Sequence, residues 1–301
     1  MIIVKYAIID VGTNNVLFLI AEYDGKKIDV LHRDSNISAM GKHMQDGYLT
    51  AAGIHRSKNI LRDNIRFAQM FTKNVIVIGT SCSREAKNIS EVSDWIKKRF
   101  GIDYHIISGD QEAFLNGLAV AHEFPDLSDI IMFDLGGGST EFTVIQDGNI
   151  TFTQSIDLGI RRLDNKFDED FEVKVKATQD ILQKLKLPQL DKFELIGIGG
   201  SVTSLSAYRY HLQKYKPAII HKSRLRTLEV EHMLEEFKEM TDDEISYMMP
   251  FDRYRADIIA TGTMIVNEIL KFIGKDEFLI SDHGVQFGVL LQAEKDLKKM
   301  L

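Results

Sequence analysis

One short order of elements runs twice through this chain. A strand-like apolar run ends in Asp10-Val11-Gly12-Thr13-Asn14, and a second, over 130–133, ends in Asp134-Leu135-Gly136-Gly137-Gly138. Each is followed by another strand-like run (16–22 and 141–146), then an Asp-Gly turn (Asp24-Gly25 and Asp147-Gly148), then a third run (27–34 and 150–156). Runs of this length rich in β-branched and aromatic residues, bounded by turn residues, read as strands. A helix and a further strand complete each set: a helical face over 51–71 with a strand at 75–78, and later a strand at 193–198 with a helix from about 202. Two β-β-β-α-β units are therefore expected, with their Asp-Gly loops across a cleft from one another.

The remaining pattern fits that plan. Helices are expected at 91–100, 110–122, 256–272 and 285–299, and strands at 2–9, 104–107 and 278–280. The predicted fold class is α/β, the actin-like ATPase superfold: two ribonuclease H-like domains with a cleft between them. Domain I is expected to take residues 1–116 with 285–301, and domain II residues 117–284. At 301 residues the chain is long enough for two domains.

Composition narrows the function. A formal net charge of −7 argues against a general nucleic-acid binder, although a phosphate-rich substrate needs only local positive charge. No apolar run approaches a membrane span, the N-terminus does not read as a signal peptide, and Cys82 has no partner for a disulfide. A cytoplasmic protein without membrane or nucleic-acid partners is expected. Residues 195–228 contain no Asp or Glu but include Arg209, Lys214, Lys216, Lys222, Arg224 and Arg226, which reads first as a solvated basic face.

The glycines carry more chemistry. Gly136-Gly137-Gly138 is not a dinucleotide fingerprint, because Glu141 stands where the last glycine would be and a strand, not a helix, follows. No P-loop pattern is present. A glycine turn between strands still lets consecutive N–H groups converge on an anion, and Ser139 and Thr140 add hydroxyl donors. Three glycines alone can be only a tight turn, but Asp134 before them and Glu141 after them count against that, since carboxylates beside a phosphate nest suit Mg²⁺. Gly199-Gly200-Ser201 follows a strand and opens a helix, whose N-terminus is a natural anion site. By itself that signal is weak.

At this point a resemblance enters along nearly the whole chain. In order, its blocks are 8–15, 79–86 (Gly-Thr-Ser-Cys-Ser-Arg-Glu-Ala), 107–113, 134–141, 157–163, 197–203, Arg255-Ala256-Asp257 with Gly262, and Ser281-Asp282-His283-Gly284. Together they resemble the exopolyphosphatase / guanosine pentaphosphate phosphohydrolase family. The resemblance implies removal of the terminal phosphate of inorganic polyphosphate or pppGpp, with Mg²⁺ or another divalent cation. It implies that Glu112 activates water and that Arg84, counted with it as catalytic, binds the phosphates. It implies metal ligation by Asp134 and Glu141, with Asp10 added. Phosphate binding falls to Gly12, Thr13, Asn14, Asn15, Ser81, Gly136, Gly137, Gly138, Ser139, Thr140, Gly199, Gly200 and Ser201. Alone, Glu112 would read as a helix-terminus charge and Arg84 as a surface cation. The resemblance allows a homodimer, which the residues alone do not establish.

The chain also departs from the pattern. Gln111 stands where relatives often carry a second acid, and Asn15 replaces a frequent Ser. Gln286-Phe287 replaces an Arg-Glu pair, which puts substrate contacts near the cleft mouth in doubt. The chain reads as the short form, without a C-terminal His-Asp region, and the acid-free stretch 195–228 is a candidate substitute for a longer basic channel. Two other readings stay open: a sensor that binds alarmone, nucleotide or polyphosphate without turnover, and an ATP-dependent kinase of the same superfold. The trio Glu112, Asp134 and Glu141 favours the hydrolase.

Overall fold

The computed structural model describes residues 3–167 and 170–301, and the chain divides into two compact units. Unit 1 comprises 1–119 and 285–301, and unit 2 comprises 120–284. The expected strand start at Ile2 lies outside the described residues.

Unit 1 opens with β1 (Val4–Val11), β2 (Asn15–Tyr23) and β3 (Ile28–Ile37). A small hairpin, β4 (Met44–Gln45) and β5 (Tyr48–Leu49), turns at Asp46 and Gly47, both at positive φ. Then come α1 (Ala51–Gln69), β6 (Val75–Gly79), α2 (Ser81–Glu85), α3 (Ser90–Phe100), β7 (Tyr104–Ile106) and α4 (Gly109–Glu123). The sheet order is β3-β2-β1-β6-β7, with the first three strands antiparallel and β1, β6 and β7 parallel.

The central strands β1, β2 and β6 are covered on both faces and are apolar on both sides, whereas the edge strand β3 is polar and largely exposed. Ala7, Ile9 and Val11 of β1 join Leu61 and Ile65 of α1 and Val92 and Ile96 of α3 in one cluster. Ile8 turns to the other face, with Ile76, Ile78 and Leu115. Trp95, expected as packing, lies partly buried against the first cluster and edge-on to Phe100.

Unit 2 repeats the plan. β8 (Asp129–Leu135), β9 (Thr140–Gln146) and β10 (Asn149–Ile156) are antiparallel. They are followed by α5 (Ile160–Phe167), α6 (Phe171–Leu182), β11 (Glu194–Ile198), α7 (Gly200–Arg209), α8 (Pro217–Ile220) and β12 (Arg224–Arg226). Next are α9 (Thr227–Glu239), α10 (Asp242–Met248), α11 (Ala256–Ile273) and β13 (Glu277–Ile280). The sheet order is β10-β9-β8-β11-β13-β12; β8, β11 and β13 are parallel, and β12 is an antiparallel edge that the sequence pattern does not predict.

In both sheets the first three strands meander outward and the next two return parallel beside the first. That is the ribonuclease H-like order, and a chain carrying it twice has the actin-like ATPase superfold. The chain ends with α12 (Val285–Leu291) and α13 (Glu294–Lys299). A single helix was expected here. It breaks because Ala293 takes an extended backbone, ψ 137°, and leads Glu294 and Asp296 into the first turn of a new helix. Acidic residues there are favoured by the helix dipole.

The basic stretch is partly neutralised by the fold. Residues 195–228 lack acids in sequence, but the fold brings acids to them. Arg209 pairs with Glu229 at 2.6 Å, Arg224 with Glu277 at 2.8 Å and Glu194 at 3.1 Å, and Lys222 lies 3.7 Å from Glu123. Lys214, Lys216 and Arg226 are exposed, in keeping with a solvated basic face.

Candidate active site

In unit 1 the expected site residues gather at the C-terminal ends of three neighbouring parallel strands. Val11, Gly79 and Ile106 are in register across β1, β6 and β7. Ligands of open α/β sheets bind at such strand ends. The turn after β1 is closed by Gly12 N–H donating to Asn15 O at 2.9 Å, and Asp10 is buried at its base. Asn14 Nδ2 donates to Asn15 Oδ1 at 2.8 Å, and Asn15 Nδ2 donates to Ser35 Oγ at 2.8 Å. Asn15 thus ties the turn to β3, a reach that a serine side chain lacks. Thr13 is buried beside them.

After β6, Thr80 N–H donates to Val11 O at 3.2 Å, which sets α2 beside the first turn. Ser81 Oγ donates to Glu85 within α2 at 3.1 Å. Arg84 closes that helix and extends Nη1 to Ile107 O at 2.9 Å and to Glu112 Oε2 at 2.8 Å. Glu112 is buried in the first turn of α4. Gln111 caps the same helix: Ser108 N–H donates to its Oε1 at 2.9 Å, and its N–H donates to Ser108 Oγ at 3.1 Å. This is a capping box, which a neutral glutamine closes as well as an acid does. Gln286 and Phe287 are both buried: Gln286 Nε2 donates to Ile8 O at 3.1 Å, and Phe287 lies under the Arg33 guanidinium.

In unit 2 the corresponding strand ends carry the acids. Asp134 and Glu141 stand directly opposite each other on the β8–β9 ladder, with carboxylate oxygens within 4.8 Å. Like charges placed so are destabilising, and two hard oxygen donors beside a phosphate turn suit a divalent cation. Ser155 Oγ donates to Glu141 Oε1 at 2.7 Å and fixes that side chain. Asp10 differs: its partner on β2 is Leu17, so it has no acid opposite on that ladder.

The Gly136–Ser139 turn is closed by Gly136 N–H to Ser139 O at 3.0 Å, and Thr140 Oγ1 donates to Leu158 O. The start of α7 adjoins it. A Cβ on Gly199, whose φ is 108°, would lie 2.4 Å from Leu135 O and 3.2 Å from Asp134 Oδ1. Gly200 lies under the Arg255 guanidinium, which is bound to Asp252 at 2.7 Å, and Ser201 is fully buried. Arg255 and Arg162 belong to the recurring blocks, but the sequence assigns them no role. Nothing in their spacing reveals that one covers Gly200 and that the other reaches Gly138 O at 2.6 Å.

A second group of metal-ligating residue types is Glu123, His221 and His283. Glu123 lies 3.2 Å from His221 Nε2 and 3.0 Å from His283 Nδ1, and the two rings stack. Asp282 N–H donates to His221 Nδ1 at 3.2 Å, so the proton of a neutral His221 sits on Nε2, facing Glu123. A metal-bound histidine normally donates from its other nitrogen. This group is therefore a hydrogen-bonded cluster around one carboxylate.

A ribonuclease H-like unit present twice, with turns at its strand ends and facing carboxylates in the second, places the chain in the actin-like class. The chain belongs to the Ppx/GppA phosphatase family, whose model matches residues 19–297. It is 31% identical to the bifunctional 3-dehydroquinate synthase/phosphatase of Fusobacterium nucleatum over 95% of this chain, but spans only 46% of that protein. It is 26% identical to exopolyphosphatase 2 of Mycobacterium tuberculosis, covering 97% of this chain and 99% of that protein. The Aquifex aeolicus Ppx/GppA family member superposes with a TM-score of 0.81 at 27% identity, covering 99% of both chains.

Proposed function

We propose that this chain hydrolyses the terminal phosphoanhydride of inorganic polyphosphate or of pppGpp. The observation that carries this reading is the Asp134–Glu141 pair, set opposite each other at either end of a glycine turn. In the proposed reaction Glu112, its carboxylate oriented by Arg84, accepts a hydrogen bond from water and takes its proton. The oxygen of that water attacks the terminal phosphorus, and the bridging P–O bond breaks toward the remaining chain. Phosphoryl transfer asks for positioning and charge neutralisation rather than a covalent intermediate. The turns Gly12–Asn15 and Gly136–Thr140 and the start of α7 at Gly199–Ser201 supply donors to the phosphate oxygens, with Ser81 beside the first turn. Mg²⁺ held by Asp134 and Glu141, with Asp10 as a further candidate, supplies charge neutralisation of the phosphates.

The relatives named for exopolyphosphatase or phosphatase activity support this reading. Among the described residues no helix is long and apolar enough to cross a membrane. The test is phosphate release with Mg²⁺ from tripolyphosphate, long polyphosphate, pppGpp and ATP, with Glu112→Ala as the control. Release from one of the first three, lost in the variant, is the expected result. Tight binding without release would move the chain to a sensor role, and ATP-dependent phosphorylation of an added acceptor to a kinase role.

A further inference from the structure

The two strand-end turns share one plan, but the last carbonyl of each is held differently. In the first, carbonyls are tied back by the segment that follows β3: Thr13 O accepts from Gly41 N–H at 2.8 Å, and Asn14 O accepts from Ser38 N–H at 3.1 Å and Ala39 N–H at 2.8 Å. In the second, the segment following β10 does the same. Gly136 O accepts from Ile160 N–H at 3.2 Å, and Gly137 O accepts from Arg162 N–H at 3.1 Å. The counterpart of Asn14 is Gly138, since Asp10 and Asp134 each stand four positions earlier. Its carbonyl is held by a side chain instead, Arg162 Nε, at 2.6 Å.

The consequence follows from the planar trans peptide, in which a C=O and the next residue's N–H point in opposite directions. Holding the carbonyls of Gly136, Gly137 and Gly138 from one side turns the N–H groups of Gly137, Gly138 and Ser139 toward the other. Consecutive N–H groups on one side form an anion-binding concavity. Three glycines have no side chains to enforce that orientation and carry the largest conformational freedom to lose. Two of the three ties come from backbone that any sequence supplies. The third depends on residue 162.

We propose that Arg162 is a positioning residue for the phosphate turn: through its bond to Gly138 O it orients the Ser139 N–H toward the substrate phosphate. The inference rests on the phosphohydrolase reading. Gly159 is part of the same device, because a Cβ there would lie 2.3 Å from Gly138 C, so the two backbones touch and bring Arg162 within reach. Asp157, 3.4 Å from Arg162 Nη2, has a largely exposed side chain, so that ion pair adds little.

The experiment compares Arg162→Ala, Arg162→Lys and Arg162→Gln with the wild type in the full chain. It uses hydrogen–deuterium exchange of residues 135–142, tripolyphosphate affinity in a Glu112→Gln background, and KM and kcat. Loss of a charge-assisted bond predicts about tenfold or greater weakening of tripolyphosphate binding in Arg162→Ala, read mainly in KM, with faster exchange in the turn. Lys and Gln can each still donate to Gly138 O and are expected to recover most of the affinity. Unchanged exchange and affinity in Arg162→Ala would overturn the inference. So would a Lys variant with slow exchange but weak binding, since that result assigns Arg162 to direct phosphate contact. If Arg162→Ala fails to fold, Arg162→Gln and Arg162→Lys still decide the point by the same readouts. Exchange needs no ligand, so a wild type that binds none of tripolyphosphate, long polyphosphate and pppGpp would sink the phosphohydrolase reading while the effect on the turn is still read.

Discussion

Arg84 Nη1 bonds Glu112 Oε2 at 2.8 Å and, from the same nitrogen, Ile107 O at 2.9 Å. The second bond fixes the guanidinium to the end of β7, so the carboxylate is aimed by the sheet rather than by its own rotamer alone. A general base must sit within hydrogen-bond reach of its proton, and small misplacements are costly. Arg84→Ala is expected to lower kcat by about a hundredfold or more, with a smaller change in KM. Arg84→Lys should recover part of the loss, because both bonds come from one nitrogen and an ammonium carries three donors. Steady-state kinetics on the best substrate checks both; an Arg84→Ala kcat within about threefold of wild type would remove Arg84 from this role.

The Asp134–Glu141 pair makes two opposite predictions for one substitution. Without a cation the two carboxylates repel across the ladder, so Glu141→Gln is expected to raise the melting temperature in EDTA slightly, by an amount reflecting about 0.2–1 kcal/mol. With Mg²⁺ the wild type should gain about 2.7 kcal/mol at a concentration a hundredfold above Kd, and the variant should gain much less. Its activity should fall with its Mg²⁺ response. Equal Mg²⁺-induced shifts in the two proteins, followed by thermal melts, would show that the pair does not hold the ion.

The repeat of strand, turn, strand, Asp-Gly and strand was legible because each feature is local: apolar runs of the right length, and turn residues that only a few backbone geometries accept. The helix over 51–71 was legible for the same reason: of Ile54, Ile60, Leu61, Ile65, Phe67 and Ala68 on its expected face, four are buried, Ile60 is half-buried and Phe67 is exposed. What escaped depends on distance in sequence. β12 exists only because Arg224–Arg226 lies along β13, roughly fifty residues on, where a three-residue run carries no periodicity. The neutralisation of Arg209 and Arg224 depends on acids from other elements, and the reach of Arg162 to Gly138 depends on a backbone contact at Gly159. Acids flanking a glycine turn were visible in the sequence, but that they share a ladder rung was not.

Gly288 in α12 lies against the backbone of α4. A Cβ there would sit 1.9 Å from Leu115 O, too close for any rotamer to relieve. Gly288→Ala must therefore push α12 away, loosening Val285, Phe287, Val289 and Leu290 from Ile8 and Ile76. Overpacking of this kind costs about 1–3 kcal/mol, occasionally more. A fall of several degrees in melting temperature is expected by calorimetry, and an unchanged value would mean that this helix yields without cost.

Glu123 offers a pH test whose sign is fixed by geometry. His221 Nε2 and His283 Nδ1 lie 3.2 and 3.0 Å from its two oxygens, His122 Nδ1 lies 3.3 Å away, and Lys222 lies 3.7 Å away. The bond from His221, then that from His283, hold its carboxyl well below the usual carboxylate range, against the opposing effect of burial. A carboxyl depressed in the folded state contributes stability that is present above its unfolded value of about 4.3 and is lost as pH falls below it. Glu123→Gln keeps an acceptor oxygen but loses the charge, so it should be less stable than wild type at neutral pH. The gap should stay constant down to about pH 5, then narrow through about pH 4 and 3 as the wild-type carboxylate is forced to accept a proton. Paired melts of the two proteins from about pH 3 to 7 measure the gap directly, with the other carboxylates cancelling in the difference. A gap independent of pH would assign the loss to packing rather than to the charge of Glu123.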